Sequence, residues 1–250
     1  MNKMPKYTVI VPAYSEALLI ADSLKKISDC LRADKKRHGL TELIVVSADS
    51  TDKTAEIAKS QAKLFAFFKL IKPGPKVGKG RDVRAGVLAA RGEYILFLDA
   101  DLATPATHIK EAFDMLESTN ADLLIADRPL GKIHNTFARR LKSIVSNLLI
   151  RVLATPGIND TQCGFKAFKR DVAYELFEPL ETLAWGFDVE ILVRARSLGY
   201  KMVLLKINDW FDPKEDNMGL VGESNFHAYV HTLIELFSIF IKRLSGHYKK

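Results

Sequence analysis

Tyr94-Ile95-Leu96-Phe97-Leu98-Asp99-Ala100-Asp101 is an apolar run that stops in two aspartates one residue apart. A short run rich in Ile, Leu and aromatics, with no polar alternation, predicts a strand buried on both faces. Both carboxylates then emerge at its C-terminal end, where an open α/β sheet binds its ligands. Two carboxylates at the mouth of a cleft repel each other unless a cation lies between them. Hard oxygen donors suit Mg²⁺ or Mn²⁺ carrying substrate phosphates.

Strand-like runs at 7–11, 43–46, 67–71 and 123–126 flank this one, and helical patterns fill the gaps at 16–33, 51–65, 79–90 and 105–116. Thr104 and Pro105 stand where an N-cap and first helical residue would. The βαβα alternation predicts an α/β fold with a mostly parallel central sheet flanked by helices. After Ala126 the alternation weakens. Leu141, Ile144, Val145, Leu148, Leu149 and Val152 mark an amphipathic helix, with Arg139, Ser143, Asn147 and Arg151 along its other face. A turn-rich, charged stretch at 209–224 has the composition of a loop over a cleft. Residues 226–250 form a C-terminal amphipathic helix, set apart from a main domain at 1–225, that suits a membrane surface or a dimer contact.

The chain has 250 residues, 48% of them hydrophobic and 27% charged, enough for a core without staples. Cys30 and Cys163 show neither metal-site spacing nor a CxxC pair. No leader-like segment precedes the first strand and no run reaches a membrane span, so a cytoplasmic setting is expected. The net charge of +7 is concentrated: residues 57–81 hold seven Lys/Arg and no acid, and residues 128–159 hold six and no acid. Such blocks favour phosphates or an anionic membrane surface. Nucleic acid is the weakest partner, because stacking aromatics do not interleave with the charge.

The C-terminal ends of parallel strands share one edge, which brings Pro12-Ala13-Tyr14-Ser15-Glu16 and Ser47-Ala48-Asp49-Ser50-Thr51-Asp52 beside Asp99 and Asp101. Ser50 or Asp52 alone reads as a helix cap. Gly78-Lys79-Gly80-Arg81 opens a helix and offers a basic, glycine-permissive turn for a phosphate. It is neither a Walker A loop nor a GxGxxG turn, which argues against P-loop NTPases and dinucleotide oxidoreductases. Asp160-Thr161-Gln162-Cys163-Gly164-Phe165-Lys166 is chemically dense for a linker, and Asp188 in Trp185-Gly186-Phe187-Asp188-Val189-Glu190 stands near a helix N-terminus.

Taken in order, VPAYSE, STDKT, VGKGRDVRAGVLAARGEYILFLDADLATP, DTQCGFKAF and WGFDVEILVRARSLGY resemble the family 2 glycosyltransferases of the Rossmann-like GT-A fold. The likeness is to the dolichyl- or polyprenyl-phosphate sugar synthases, above all the dolichyl-phosphate β-glucosyltransferases. It implies an inverting transfer of glucose from UDP-glucose to a polyprenyl phosphate, with Mg²⁺ or Mn²⁺, at the cytoplasmic face of a membrane. It also implies that Pro12, Ala13, Tyr14, Glu16, Asp49, Lys79, Arg81 and Asp99 bind the nucleotide-sugar, with Asp99 and Asp101 at the metal. Arg128, Arg139 and Ser143 match positions that hold the acceptor phosphate, and Asp188, with Asp160 as runner-up, matches the carboxylate that acts as base where the acceptor is a hydroxyl. One departure stands out: relatives usually end the second strand in two aspartates and a glycine, and Ser47, Ala48 and Asp49 stand there. Two alternatives stay open: a GDP-mannose-dependent enzyme of the same class, and a catalytically silent nucleotide-binding scaffold.

Overall fold

The computed structural model describes residues 4–129, 158, 160–211 and 226–249, the side chains of the last segment from residue 233. Seven strands form one sheet in the order β3-β2-β1-β4-β6-β5-β7: β1 Tyr7–Pro12, β2 Thr41–Val46, β3 Phe67–Ile71, β4 Tyr94–Leu98, β5 Leu123–Asp127, β6 Phe165–Lys169 and β7 Met202–Lys206. All but one run the same way; β6 is antiparallel to both β4 and β5. The expected α/β class and mostly parallel sheet are therefore present. Residues 130–157, with the expected helix bearing Arg139 and Ser143, and the loop at 212–224 lie outside the described residues.

The helices are α1 Ile20–Ala33, α2 Thr54–Ser60, α3 Lys79–Ala89, α4 His108–Thr119, α5 Arg170–Phe177, α6 Phe187–Ser197 and α7 Phe226–Leu244. Alternate β4 side chains enter two cores. Leu96 and Leu98 join Leu24, Ile27, Ile109 and Phe113 on one face, while Ile95 and Phe97 join Val83, Phe168, Phe177 and Phe187 on the other. All four β4 side chains are fully buried, each worth about 1.5–3 kcal/mol of transfer free energy. The uninterrupted apolar run is thus the record of two covered faces.

Three helix starts differ from the sequence reading; α2 begins at Thr54, three residues later than expected. The first helix begins at Ile20, not Glu16, because residues 16–19 form a turn in which the amides of Leu19 and Ile20 both donate to the Glu16 carbonyl. The fourth begins at His108 after tight turns that close on the carbonyls of Pro105 and Ala106. Thr104 is turned towards the Cys163 sulfur at 3.5 Å and caps nothing. Glycine fixes the seat of α3: a Cβ on Gly86 would lie 2.5 Å from Ile10 Cγ2 and 3.1 Å from Val46 Cγ2. The helix consequently lies directly over the ends of β1 and β2.

Candidate active site

A cleft of about 540 Å³ opens at the C-terminal edge of the sheet, within the range of small-molecule sites. Pro12, Ala13, Tyr14 and Glu16 line it after β1, Lys76 to Lys79 and Asp82 at the head of α3, Asp99 to Asp101 after β4, Ala184 and Trp185 before α6, and Glu235 from α7. The loop after β1 is braced from below. Asp52 accepts from the Ala17 and Thr54 amides and from the Ser50 and Thr54 hydroxyls, while the Thr54 hydroxyl accepts from the Glu16 amide. These donors hold the Asp52 carboxyl at about 2. The bland reading of Asp52 is the correct one, extended from a cap to a strut between two loops.

Lys79 Nζ lies 2.5 Å from Asp99 Oδ1. Burial disfavours its charge, but Asp99, Asp188 and Asp101 outweigh that and raise its pKa. Asp101 Oδ1 accepts from the Ala103 amide at 3.0 Å, tying the second carboxylate into the turn. That turn bends through Leu102 at φ 53, a left-handed conformation for a branched side chain.

The reversal of β6 brings the 160–164 segment into the site. Leu98 pairs with Phe165, so the strand's leading residues meet the trailing residues of β4, and the Asp99 amide donates to the Gly164 carbonyl at 3.0 Å. A Cβ on Gly164 would lie 1.9 Å from Asp99 Oδ2. Glycine is therefore the residue that lets the carboxylate occupy its place.

Beneath the cleft, Asp188 is 2% exposed and pairs at 2.5 Å with Lys166 Nζ, which also donates to the Cys163 carbonyl at 2.7 Å. Burial raises the Asp188 pKa against the pull of Lys166 and Lys79. Farther along the edge, Arg128 donates to Asp160 through Nε at 2.5 Å and Nη2 at 3.3 Å, with its guanidinium 5.3 Å from the Trp210 ring. Burial works against the Arg128 charge, but Asp160 more than restores it.

Of the residues singled out in the sequence, Pro12, Ala13, Tyr14, Glu16, Lys79, Asp99 and Asp101 converge on the cleft. Asp49, Arg81, Arg128, Asp160 and Asp188 do not line it. Asp49 is exposed, its amide bonded to the Gly74 carbonyl. Arg81 is spent on structure: it donates to the carbonyls of Pro73 and Pro75 and to Asp82. Sequence reasoning gave no individual role to Lys76, Asp82, Gly164, Lys166 or Glu235. The signal for Glu235 was available, since it is the one acid in the sequence of α7.

Among the described residues no group of three or more His, Cys, Asp or Glu forms a metal cage. Two carboxylates such as those at 99 and 101 are instead the kind of donor set that suits an ion keeping most of its coordination for phosphates and water, as Mg²⁺ does. Those residues fit Mg²⁺ or Mn²⁺.

The sequence model for glycosyl transferase family 2 matches residues 8–177, the segment carrying Tyr14, Lys79, Asp99 and Gly164. The chain belongs to that family. This family 2 glycosyltransferase is 34% identical over 238 residues to the dolichyl-phosphate beta-glucosyltransferase of Saccharomyces cerevisiae, covering 87% of this chain and 70% of the relative. It is 29% identical over 214 residues to the human enzyme of the same description, covering 80% and 66%. Among solved structures, it superposes on glucosyl-3-phosphoglycerate synthase from Mycobacterium tuberculosis, crystallised with Mn²⁺, UDP and phosphoglyceric acid. There the TM-score is 0.63 at 19% identity, with 94% of this chain and 78% of the other covered. Mannosyltransferase PcManGT from Pyrobaculum calidifontis, bound to GDP-Man and Mn²⁺, gives 0.61 at 20% identity, covering 99% and 69%. The glycosyltransferase thus has the expected GT-A fold.

Proposed function

We propose that this glycosyltransferase moves glucose from UDP-glucose to a polyprenyl phosphate, of the dolichyl type, with inversion. The observation that carries the reading is the Asp99-Ala100-Asp101 turn lining the cleft in contact with Lys79, in a chain 34% identical to a dolichyl-phosphate beta-glucosyltransferase. Asp99 and Asp101 would hold Mg²⁺ or Mn²⁺, which supplies positive charge to the departing diphosphate. Lys79 adds a second cation on the same side, held charged by its carboxylate neighbours. Pro12, Ala13, Tyr14 and Glu16 form the wall against which the nucleotide lies.

The acceptor asks little of a base. A phosphate monoester has its second pKa at about 6 and is largely dianionic near neutrality, so positioning and leaving-group stabilisation dominate. Arg128, locked by Asp160, is the cation for that phosphate, together with Arg139 and Ser143. Asp188, buried and paired with Lys166, holds the floor under Asp99 and Lys79 instead of taking a proton.

A membrane surface at the cytoplasmic face is the proposed setting. Among the described residues no helix is long and apolar enough to cross a membrane, yet α7 leaves Ile234, Phe237, Ile241 and Leu244 48–68% exposed, an interfacial pattern. In this reading residues 226–250 are the membrane-facing appendage of a catalytic domain at 1–225. The test is incubation with radiolabelled UDP-glucose, Mn²⁺ and polyprenyl phosphate in detergent. Label should enter the lipid phase, and chelation or Asp101→Ala should reduce the rate at least a hundredfold. Absence of lipid-linked label with every nucleotide-sugar tried would refute the assignment.

A further inference from the structure

Asp82 is a cleft-lining carboxylate to which nothing above gives a task. It is 5% exposed and stands one helical turn before Gly86, whose contacts with Ile10 and Val46 fix α3 over the ends of β1 and β2. Its carboxylate is also oriented. Arg81 Nε and Nη2 both donate to Oδ1, at 3.0 and 2.8 Å, and Arg81 Nη1 donates to the Pro75 carbonyl at 2.6 Å. Pro75 in turn bridges to Asp49 just past β2. The carboxylate is thereby fixed against the loop that borders the end of β2, and Arg81 leaves Oδ2 untouched.

Among the other carboxylates of the cleft, Glu16 stands on the wall after β1 and three are placed elsewhere. Asp99 and Asp101 stand at the Lys79 end, and Glu235 accepts from the Gly186 amide. At the end of β2 itself, Ala48 is 1% exposed and its side chain carries no polar atom, while Asp49 is exposed and outside the cleft. On the same side, Lys76 Nζ lies 4.2 Å from the centre of the Tyr14 ring, a pairing of flat face and cation suited to a heterocycle.

We propose that Asp82 selects the nucleobase of the donor, its Oδ2 accepting a ring N–H of the uracil or guanine type. This rests on the nucleotide-sugar reading above. An ionised carboxylate only accepts hydrogen bonds. Uracil and guanine present an N–H on the ring edge; cytosine and adenine present a bare ring nitrogen there, whose lone pair faces the carboxylate. Burial raises the Asp82 pKa more than Arg81 lowers it, which makes Oδ2 a stronger acceptor than a surface carboxylate. A buried charged acceptor discriminates because a wrong base leaves it unpaired.

The experiment is calorimetric titration of the full chain, with Mn²⁺, by UDP, GDP, CDP and ADP. The wild type should bind UDP or GDP at least tenfold more tightly than CDP and ADP. Asp82→Asn, whose amide can turn to donate, should bring that ratio to within threefold while binding stays Mn²⁺-dependent. Asp82→Ala should do the same by removing the acceptor, and a thermal melt of each variant verifies folding. Equal wild-type binding of UDP, GDP and CDP would overturn the inference without any variant. A ratio unchanged in folded Asp82→Asn would overturn it and leave the nucleotide-sugar reading standing, whereas a wild type that binds no nucleoside diphosphate would overturn both.

Discussion

Replacing Gly164 with alanine separates the stability of the sheet from the competence of the site. The new Cβ would stand 1.9 Å from Asp99 Oδ2, 2.3 Å from Cγ and 2.5 Å from Oδ1. Every clash is with the end of one side chain, and ordinary contact needs Asp99 to withdraw by about 1.5 Å. Backbone conformation is no obstacle, because Gly164 is absent from the positive-φ residues. The fold loses a partly exposed pair between Asp99 and Lys79, worth about 0–1 kcal/mol. It gains about 0.4–1 kcal/mol from a stiffer unfolded chain. Urea unfolding should therefore place Gly164→Ala within about 1 kcal/mol of wild type. Turnover should fall by about 10²-fold or more, since a misplacement near 1 Å costs that much in a preorganised site. Circular dichroism melts and metal-dependent transfer measured on one preparation test both halves. A folded Gly164→Ala retaining more than a third of wild-type turnover would refute the argument that Gly164 holds the place of Asp99.

Two further outcomes concern the rest of the molecule. Lys166→Met leaves Asp188 buried without its cation and should cost about 3–5 kcal/mol in urea unfolding, with part recovered when Asp188→Asn is added; a loss under 1 kcal/mol would mean the pair contributes nothing. Glu117 is pulled upward by burial but brought down to about 2 by hydrogen bonds from Lys36, Tyr7 and Lys6. Its contribution is present above the ordinary glutamate value of 4.5 and disappears as pH falls towards 2. The melting-temperature gap between wild type and Glu117→Gln should be full at neutral pH and close on that acid limb, and a gap independent of pH would contradict it.

The first half of the molecule was legible because each strand there obeys one local rule: an apolar run, then a turn, then a helix. β4 and its aspartates are the plainest case. The second half resisted for a physical reason. β6 reads Phe165-Lys166-Ala167-Phe168-Lys169, and a lysine at its second position argues against burial, yet Lys166 is fully buried on its salt bridge to Asp188. Direction is also invisible to periodicity: nothing in those five residues says that the strand runs against its neighbours. The site followed the same division. Side chains at strand ends were found by position, whereas Gly164 and Glu235 reach the site through contacts with Asp99 and Gly186, distant in sequence.

The reversed strand also constrains the order of assembly. β4 and β5 leave the ribosome before β6 exists, and in the finished sheet they share no ladder, because β6 lies between them. The sheet therefore closes through non-local pairing, the kind of topology that slows folding. A nascent chain that stops short of Gly164 carries both aspartates but lacks the carbonyl that receives the Asp99 amide. Completion of the Asp99 turn thus waits for β6, and under the proposed function a chain that stops before it would not sequester sugar-nucleotide.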